Sequence, residues 1–178
     1  MPNYIRNKNS GATYFFTINL HDRQSDLLIT QINELRQAYQ KVQQKMPFTT
    51  DAIVILPDHI HALWTLPDND TDYPTRIRLF KTYFTRQLSA TLKHTNNRSR
   101  KRQKESGVWQ RRYWEHTILD DIDYNQHIDY IHNNPVKHGY AVSPADWEYS
   151  TFHREVKSGR YDLDWAGGDG AESAFGER

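Results

Sequence analysis

Two histidines, His59 and His61, stand two residues apart in the segment LPDHIHALWTL. On a β-strand that spacing puts both imidazoles on one face, with Ile60 and Ala62 on the other. Two imidazoles so placed can share a metal ion, or they can be ordinary polar side chains on a solvated sheet face. Further along, DIDYNQHIDYIHNNPVKHGY reads as a helix. There Tyr130 and Asn134 lie one turn apart, their Cβ atoms roughly 5 to 6 Å from each other, with Gln126 one turn earlier. Such a stripe can serve a site, or it can turn its polar side to solvent. With no cysteine in 178 residues, a disulfide framework and a thiolate metal site are excluded, and a structural zinc ion is disfavoured.

The charge distribution suggests a partner. The net charge of +1 hides a basic middle: from Arg76 to His116 there are twelve Lys and Arg against Glu105 and Glu115, a net +10, which leaves −9 for the rest. A basic stretch inside an otherwise acidic chain is the footprint of a polyanion-binding surface, nucleic acid above all, or of a solvated basic loop. Tyr83, Phe84, Trp109, Tyr113 and Trp114 lie in the same stretch, and exposed rings can stack on unpaired bases.

The positioning elements follow from periodicity. Residues 14–20 (YFFTINL) are aromatic and β-branched, a strand. Leu28, Ile32, Leu35, Tyr39 and Val42 recur at spacings of four and three up to Pro47, an amphipathic helix. Residues 48–56 and 60–66 flank the turn pair Pro57 and Asp58, giving two adjacent antiparallel strands. Thr75 can cap a second helix carrying Ile77, Phe80, Phe84 and Leu88. Residues 93–104, with six basic residues and no acid, read as a mobile loop. Residues 108–119 have strand composition, and Asp120 or Asp121 caps a third helix expected to stop near Asn134, before Pro135. A short helix is expected near 151–156. The order β, α, β, β, α, β, α predicts an α+β fold, a ferredoxin-like (RRM-like) antiparallel sheet with helices on one face, plus an extra helix carrying Tyr130. One domain over 1–165 and a Gly- and acid-rich tail over 166–178 account for the length.

Taken together, GATYFFT at 11–17, LPDHIHALWTLP at 56–67, WQRRYWEH at 109–116 and HIDYIHNNPVKHG at 127–139 resemble the HUH single-strand endonucleases, and within them the REP-associated tyrosine transposases. The likeness runs on through SPADWEYSTFHR to DWAG, nearly the whole chain. It implies that Tyr130 is the nucleophile, that His59 and His61 hold a divalent metal, Mg²⁺ or Mn²⁺, and that Asn134 is the third ligand. The implied substrate is single-stranded DNA with a REP-type hairpin and a 5′ guide tetranucleotide, cleaved through a covalent 5′-phosphotyrosine and rejoined by strand transfer. Arg98, Arg100, Lys101, Arg102, Lys104, Trp109, Arg111, Arg112 and Trp114 are candidate DNA contacts, and the resemblance adds Asn3, Tyr4 and Arg6. A monomer in the bacterial cytoplasm, associated with the nucleoid, is expected. No window approaches the roughly 18 apolar residues of a membrane span, and mean hydropathy is −0.91. The rival reading is a non-catalytic RRM-like module that binds structured DNA or RNA, with both histidines as bystanders.

Overall fold

The structure, a computed structural model, describes residues 11–93 and 107–167. Four strands, β1 (Thr13–Asn19), β2 (Thr49–Ile55), β3 (His59–Thr65) and β4 (Trp114–Thr117), form one antiparallel sheet in the order β2-β3-β1-β4. Helices α1 (Leu27–Thr30) and α2 (Ile32–Lys45) link β1 to β2. After β3 come α3 (Tyr73–Gln87) and α4 (Ala90–Lys93), and after β4 comes α5 (Asp121–Lys137). A 3₁₀ turn at Pro144–Asp146 and α6 (Phe152–Lys157) follow. The strand order is the ferredoxin-like one expected from the element sequence.

The run TYFFTIN in β1 does not alternate apolar with polar, and the reason is that both faces of the sheet are covered. Tyr14, Phe16 and Ile18 join Ile60, Ala62 and Trp64 against Leu35, Ala38 and Val42 of α2 and Ile77, Phe80 and Phe84 of α3. Phe15, Leu63, Ala52 and Val54 point the other way, onto Ile128, Tyr130 and Ile131 of α5. The third helix therefore lies on the sheet face opposite α2 and α3. Among the described residues no helix is long and apolar enough to cross a membrane.

Four local expectations are corrected. The first helix is broken at Gln31, which leaves the helical backbone at φ −114° and ψ 37°, and the single turn of α1 before it is tied to the β2–β3 turn by the Leu28 N–H donating to Pro57 O at 3.1 Å. The cap of α3 is Asp72, whose side chain accepts from the Thr75 N–H at 3.1 Å. The ladder of β4 covers only Trp114–Thr117, with Trp109 bridged separately to Leu20. Pro135 does not end α5: it sits in the last turn, where its missing N–H costs one bond, and the helix closes with His138 N–H donating to Asn134 O and Gly139 (φ 72°) turning the chain. Asp120 caps α5 as expected, accepting from the Asp123 N–H at 2.9 Å. Residues 149–151 run along the open edge of β2, with Tyr149 O accepting from the Ile55 N–H and the Thr151 N–H donating to Ile53 O. The expected basic loop beyond Lys93 and the tail from 168 lie outside the described residues.

Candidate active site

Cross-strand pairing sets the site. His61 stands opposite Thr17 of β1 and Val54 of β2, and His59, two residues earlier, shares its face. Above them α5 turns His127, Tyr130, Ile131 and Asn134 inward at three- and four-residue intervals, all buried. The Tyr130 ring lies 5.2 Å from the His61 ring and 5.9 Å from Phe15. The two histidine rings are 4.9 Å apart and nearly perpendicular, at 84°. His59 is 1% exposed, and His61, Tyr130 and Asn134 are 0% exposed. Of the two readings open for the histidine pair, the solvated sheet face is therefore overturned. So is the open sheet face that a bare RRM-like reader needs, since α5 covers it.

Each imidazole is held from behind. Nδ1 of His59 lies 2.7 Å from Oδ1 of Asp58, whose Oδ2 receives Nε of Arg23 at 2.9 Å. Arg23 in turn donates to Oδ1 of Asn19. Nδ1 of His61 lies 3.0 Å from Oγ1 of Thr17. When the Nδ1 proton is given to Asp58, the Nε2 lone pair of His59 is directed inward, and this nitrogen is buried with no hydrogen-bond partner among the described residues. Burial pushes the pKa of His59 below its usual value despite the Asp58 carboxylate, which keeps the ring neutral and able to ligate. Burial raises Asp58, but the His59 hydrogen bond and the His59 and Arg23 charges outweigh it and hold the carboxyl low. The His59 imidazole, kept neutral by burial, the His61 imidazole beside it and a buried amide one turn from the phenol form a donor set that fits a divalent ion.

A second polar group lies beside the first on the same sheet face. Asp123 Oδ2 accepts from His116 Nε2 at 2.7 Å, His127 Nδ1 donates to the Asp123 backbone carbonyl at 2.8 Å and lies 2.9 Å from its Oδ1, and the two rings stack at 4.9 Å and 13°. One ligand atom from each of the three lies within 4.8 Å of the others, so this group also could hold a metal ion.

The candidate DNA contacts divide. Arg111 and Arg112 are exposed, and Trp114 is 38% exposed at the sheet edge. Trp109 is in the core, against Phe80 and Phe84, so its ring supports the sheet instead of offering a face to a base. Arg98, Arg100, Lys101, Arg102 and Lys104, like Asn3, Tyr4 and Arg6, lie outside the described residues. Of the basic residues counted in the middle of the chain, Arg76 is 1% exposed and bound to Asp70, and Lys81 donates to Gln110 O, burial pulling its pKa down to about 8.

Sequence reasoning missed Asp58, Thr17, Lys137 and His138. Asp58 adjoins His59 and was readable as a partner. Thr17 reaches His61 only through strand pairing. The Lys137 ammonium sits 4.8 Å over the Tyr130 ring, and the His138 ring lies 5.2 Å from His59; both follow from the helix continuing past Pro135.

Residues 11–134 match the family described as "Transposase IS200 like". The REP-associated tyrosine transposase of Escherichia coli is 44% identical over 100% of this chain and 98% of its own. A Haemophilus influenzae protein assigned to the same group is 52% identical over 94% of each chain. The solved structure of a REP-associated tyrosine transposase bound to a REP hairpin superposes with a TM-score of 0.85 at 43% identity, covering 100% of this chain and 98% of that one. The chain thus belongs to the IS200-like transposase family and, within it, to the REP-associated tyrosine transposases, enzymes of the HUH single-tyrosine class.

Proposed function

We propose that this chain is a divalent-metal-dependent single-strand DNA endonuclease and strand transferase acting on REP-type hairpins, with Tyr130 as its nucleophile. The observation that carries the reading is the buried apposition of Tyr130 and His61, at 5.2 Å between rings, on a fold like that of a relative bound to a REP hairpin. His59, His61 and Asn134 are the residues that would hold the metal, Mg²⁺ or Mn²⁺, which when bound supplies a Lewis acid for a non-bridging phosphate oxygen.

The Tyr130 oxygen attacks the scissile phosphorus and the bond to the 3′ oxygen breaks. The phenol proton leaves, a proton is taken up by the departing 3′-hydroxyl, and the 5′ side stays on Tyr130 as a phosphodiester. Because one diester replaces another of similar energy, a 3′-hydroxyl of a second strand can reverse the step without ATP. Asp58 and Thr17 keep the imidazoles oriented through both steps. Since the phenol and both imidazoles are buried, entry of the phosphate requires displacement of a cover; the exposed His138, whose ring lies 5.2 Å from His59, is the residue best situated to move. Arg111 and Arg112, both exposed, would contact the backbone phosphates of a flanking single strand, and the reading includes a 5′ guide tetranucleotide and a monomer.

The test incubates a labelled hairpin with single-stranded flanks, wild-type or Tyr130→Phe protein, and Mg²⁺ or Mn²⁺, and separates the products under denaturing conditions. A covalent protein–DNA adduct that depends on the metal and vanishes in Tyr130→Phe is expected. Cleavage retained by Tyr130→Phe would overturn the covalent mechanism.

A further inference from the structure

Thr17 pairs with His61 on one side and with Trp114 on the other, so His61, Thr17 and Trp114 form one transverse row across β3, β1 and β4 and project from the same face. At two strand spacings, Trp114 stands roughly 10 Å from His61 along that row. The row begins in the buried metal-ligand candidates under α5 and ends in a tryptophan that is 38% exposed. It therefore leads from the place where the scissile phosphate must sit to an aromatic ring open to solvent.

Trp114 is fixed in place rather than free to swing. Its ring stacks on His116 at 5.9 Å and 11°, and meets the edge of Phe15 at 5.7 Å and 71°. His116 is itself stacked on buried His127, and both imidazoles donate to Asp123, whose carboxylate also accepts from the Leu119 N–H at 2.9 Å. That carboxylate ties the edge strand to the first turn of α5, the helix that carries Tyr130. One rigid assembly of rings thus joins the exposed tryptophan to the element bearing the nucleophile. Arg111 and Arg112, both exposed, precede it and supply cations for the adjoining backbone.

We propose that Trp114, buttressed by the His116–Asp123–His127 clasp, is the stacking platform for an unpaired nucleobase next to the scissile phosphate, and so sets the register in which the strand enters the site. The inference rests on the hairpin-cleaving reading above and adds to it the residue that positions the strand. An unpaired base is the occupant because the ring stands about one nucleotide's reach from the reacting phosphate. Every base has a π-face, and stacking of this kind is sequence-tolerant.

The experiment places 2-aminopurine, one position at a time, in the single-stranded flank of the hairpin and reads its fluorescence on binding, without divalent metal so that no cleavage intervenes. Wild type is expected to quench the probe at one position within two nucleotides of the scissile bond. Trp114→Ala should lose that quench and bind about 5- to 100-fold more weakly, while Trp114→Phe should keep most of both. An abasic nucleotide at the same position should weaken wild type but add nothing in Trp114→Ala. Circular dichroism of both variants guards against a misfolded edge strand, and Trp114→Phe keeps the test valid if Trp114→Ala fails to fold. Quench unchanged in Trp114→Ala, or abasic and Trp114→Ala losses that simply add, would overturn the platform alone. Failure of wild type to bind any hairpin would instead overturn the function reading, and the platform with it.

Discussion

Asp58 and His59, neighbours in sequence, are joined side chain to side chain at 2.7 Å, so the imidazole packed against His61 is oriented by the residue beside it. With the Nδ1 proton hydrogen-bonded to that carboxylate, Nε2 would be the nitrogen that ligates in the proposed metal site. Carboxylates in this role typically contribute 10- to 100-fold to metal affinity. Asp58→Asn is therefore expected to weaken Mn²⁺ binding by about that factor, measured by calorimetry, with the fold retained. Affinity equal to wild type would show that His59 needs no such partner.

Lys137 lies 4.8 Å over the Tyr130 ring from one turn past Asn134. If Tyr130 is the nucleophile, as proposed, this ammonium would stabilise the negative charge that grows on the phenol as its proton departs. Cation–π contacts contribute about 0.5 to 2 kcal/mol, so Lys137→Met should slow single-turnover cleavage by about 2- to 30-fold. Lys137→Arg should restore most of the rate, and hairpin affinity should change little in either. A loss seen in affinity and not in rate would make Lys137 a backbone contact instead.

Arg76 belongs to the basic stretch by sequence but to the core by structure. Its guanidinium binds both Asp70 oxygens, at 3.1 and 2.7 Å, and donates to the carbonyls of Met46, Pro47 and Asp72. Deleting it leaves the partly exposed Asp70 carboxylate and three carbonyls without their donor, a loss of about 1 to 3 kcal/mol. Arg76→Ala should lower the melting temperature by at least about 2 °C, given roughly 2 to 4 °C per kcal/mol for a chain of this size. DNA affinity per folded molecule should stay the same, whereas a loss of affinity at unchanged melting temperature would return Arg76 to the binding surface.

What was legible in the sequence was whatever depends on local periodicity. The strand bearing His59 and His61, the helix bearing Tyr130 and Asn134, and the ferredoxin-like order all follow from apolar spacing and turn residues. The rest is decided by long-range pairing. That Thr17 backs His61 and lines up with Trp114 depends on the register of β1 with both neighbours, which no single segment encodes. Trp109 and Trp114 stand five residues apart in one motif with similar composition, yet one fills the core behind the sheet and the other stays at its edge. The end of α5 escapes a local reading because a proline in the last turn forfeits only its own N–H bond, while the residues after it still close the helix through the His138 N–H to Asn134 O.

His132, on the far side of α5 from the nucleophile's neighbours, gives the pH dependence a clean probe. It is 0% exposed, its Nε2 lies 2.9 Å from Oγ1 of Thr151, and its ring packs against Phe152 and Tyr161. Burial, reinforced by the Arg154 and Arg160 charges, pushes its pKa down to about 3 from the ordinary 6.5. A histidine depressed in the folded state contributes stability that is fully present above the unfolded pKa and is lost as pH falls below 6.5 toward 3, because the unfolded chain takes up the proton first. The melting temperature is therefore expected to hold from about pH 8 to 7 and to fall steadily between about pH 6 and 4. His132→Gln, which can keep a bond to Thr151 without titrating, should flatten that fall. A variant whose melting temperature drops over the same interval as steeply as wild type would assign the acid loss to His59 and His127, both also pushed down by burial, and remove His132 from the account.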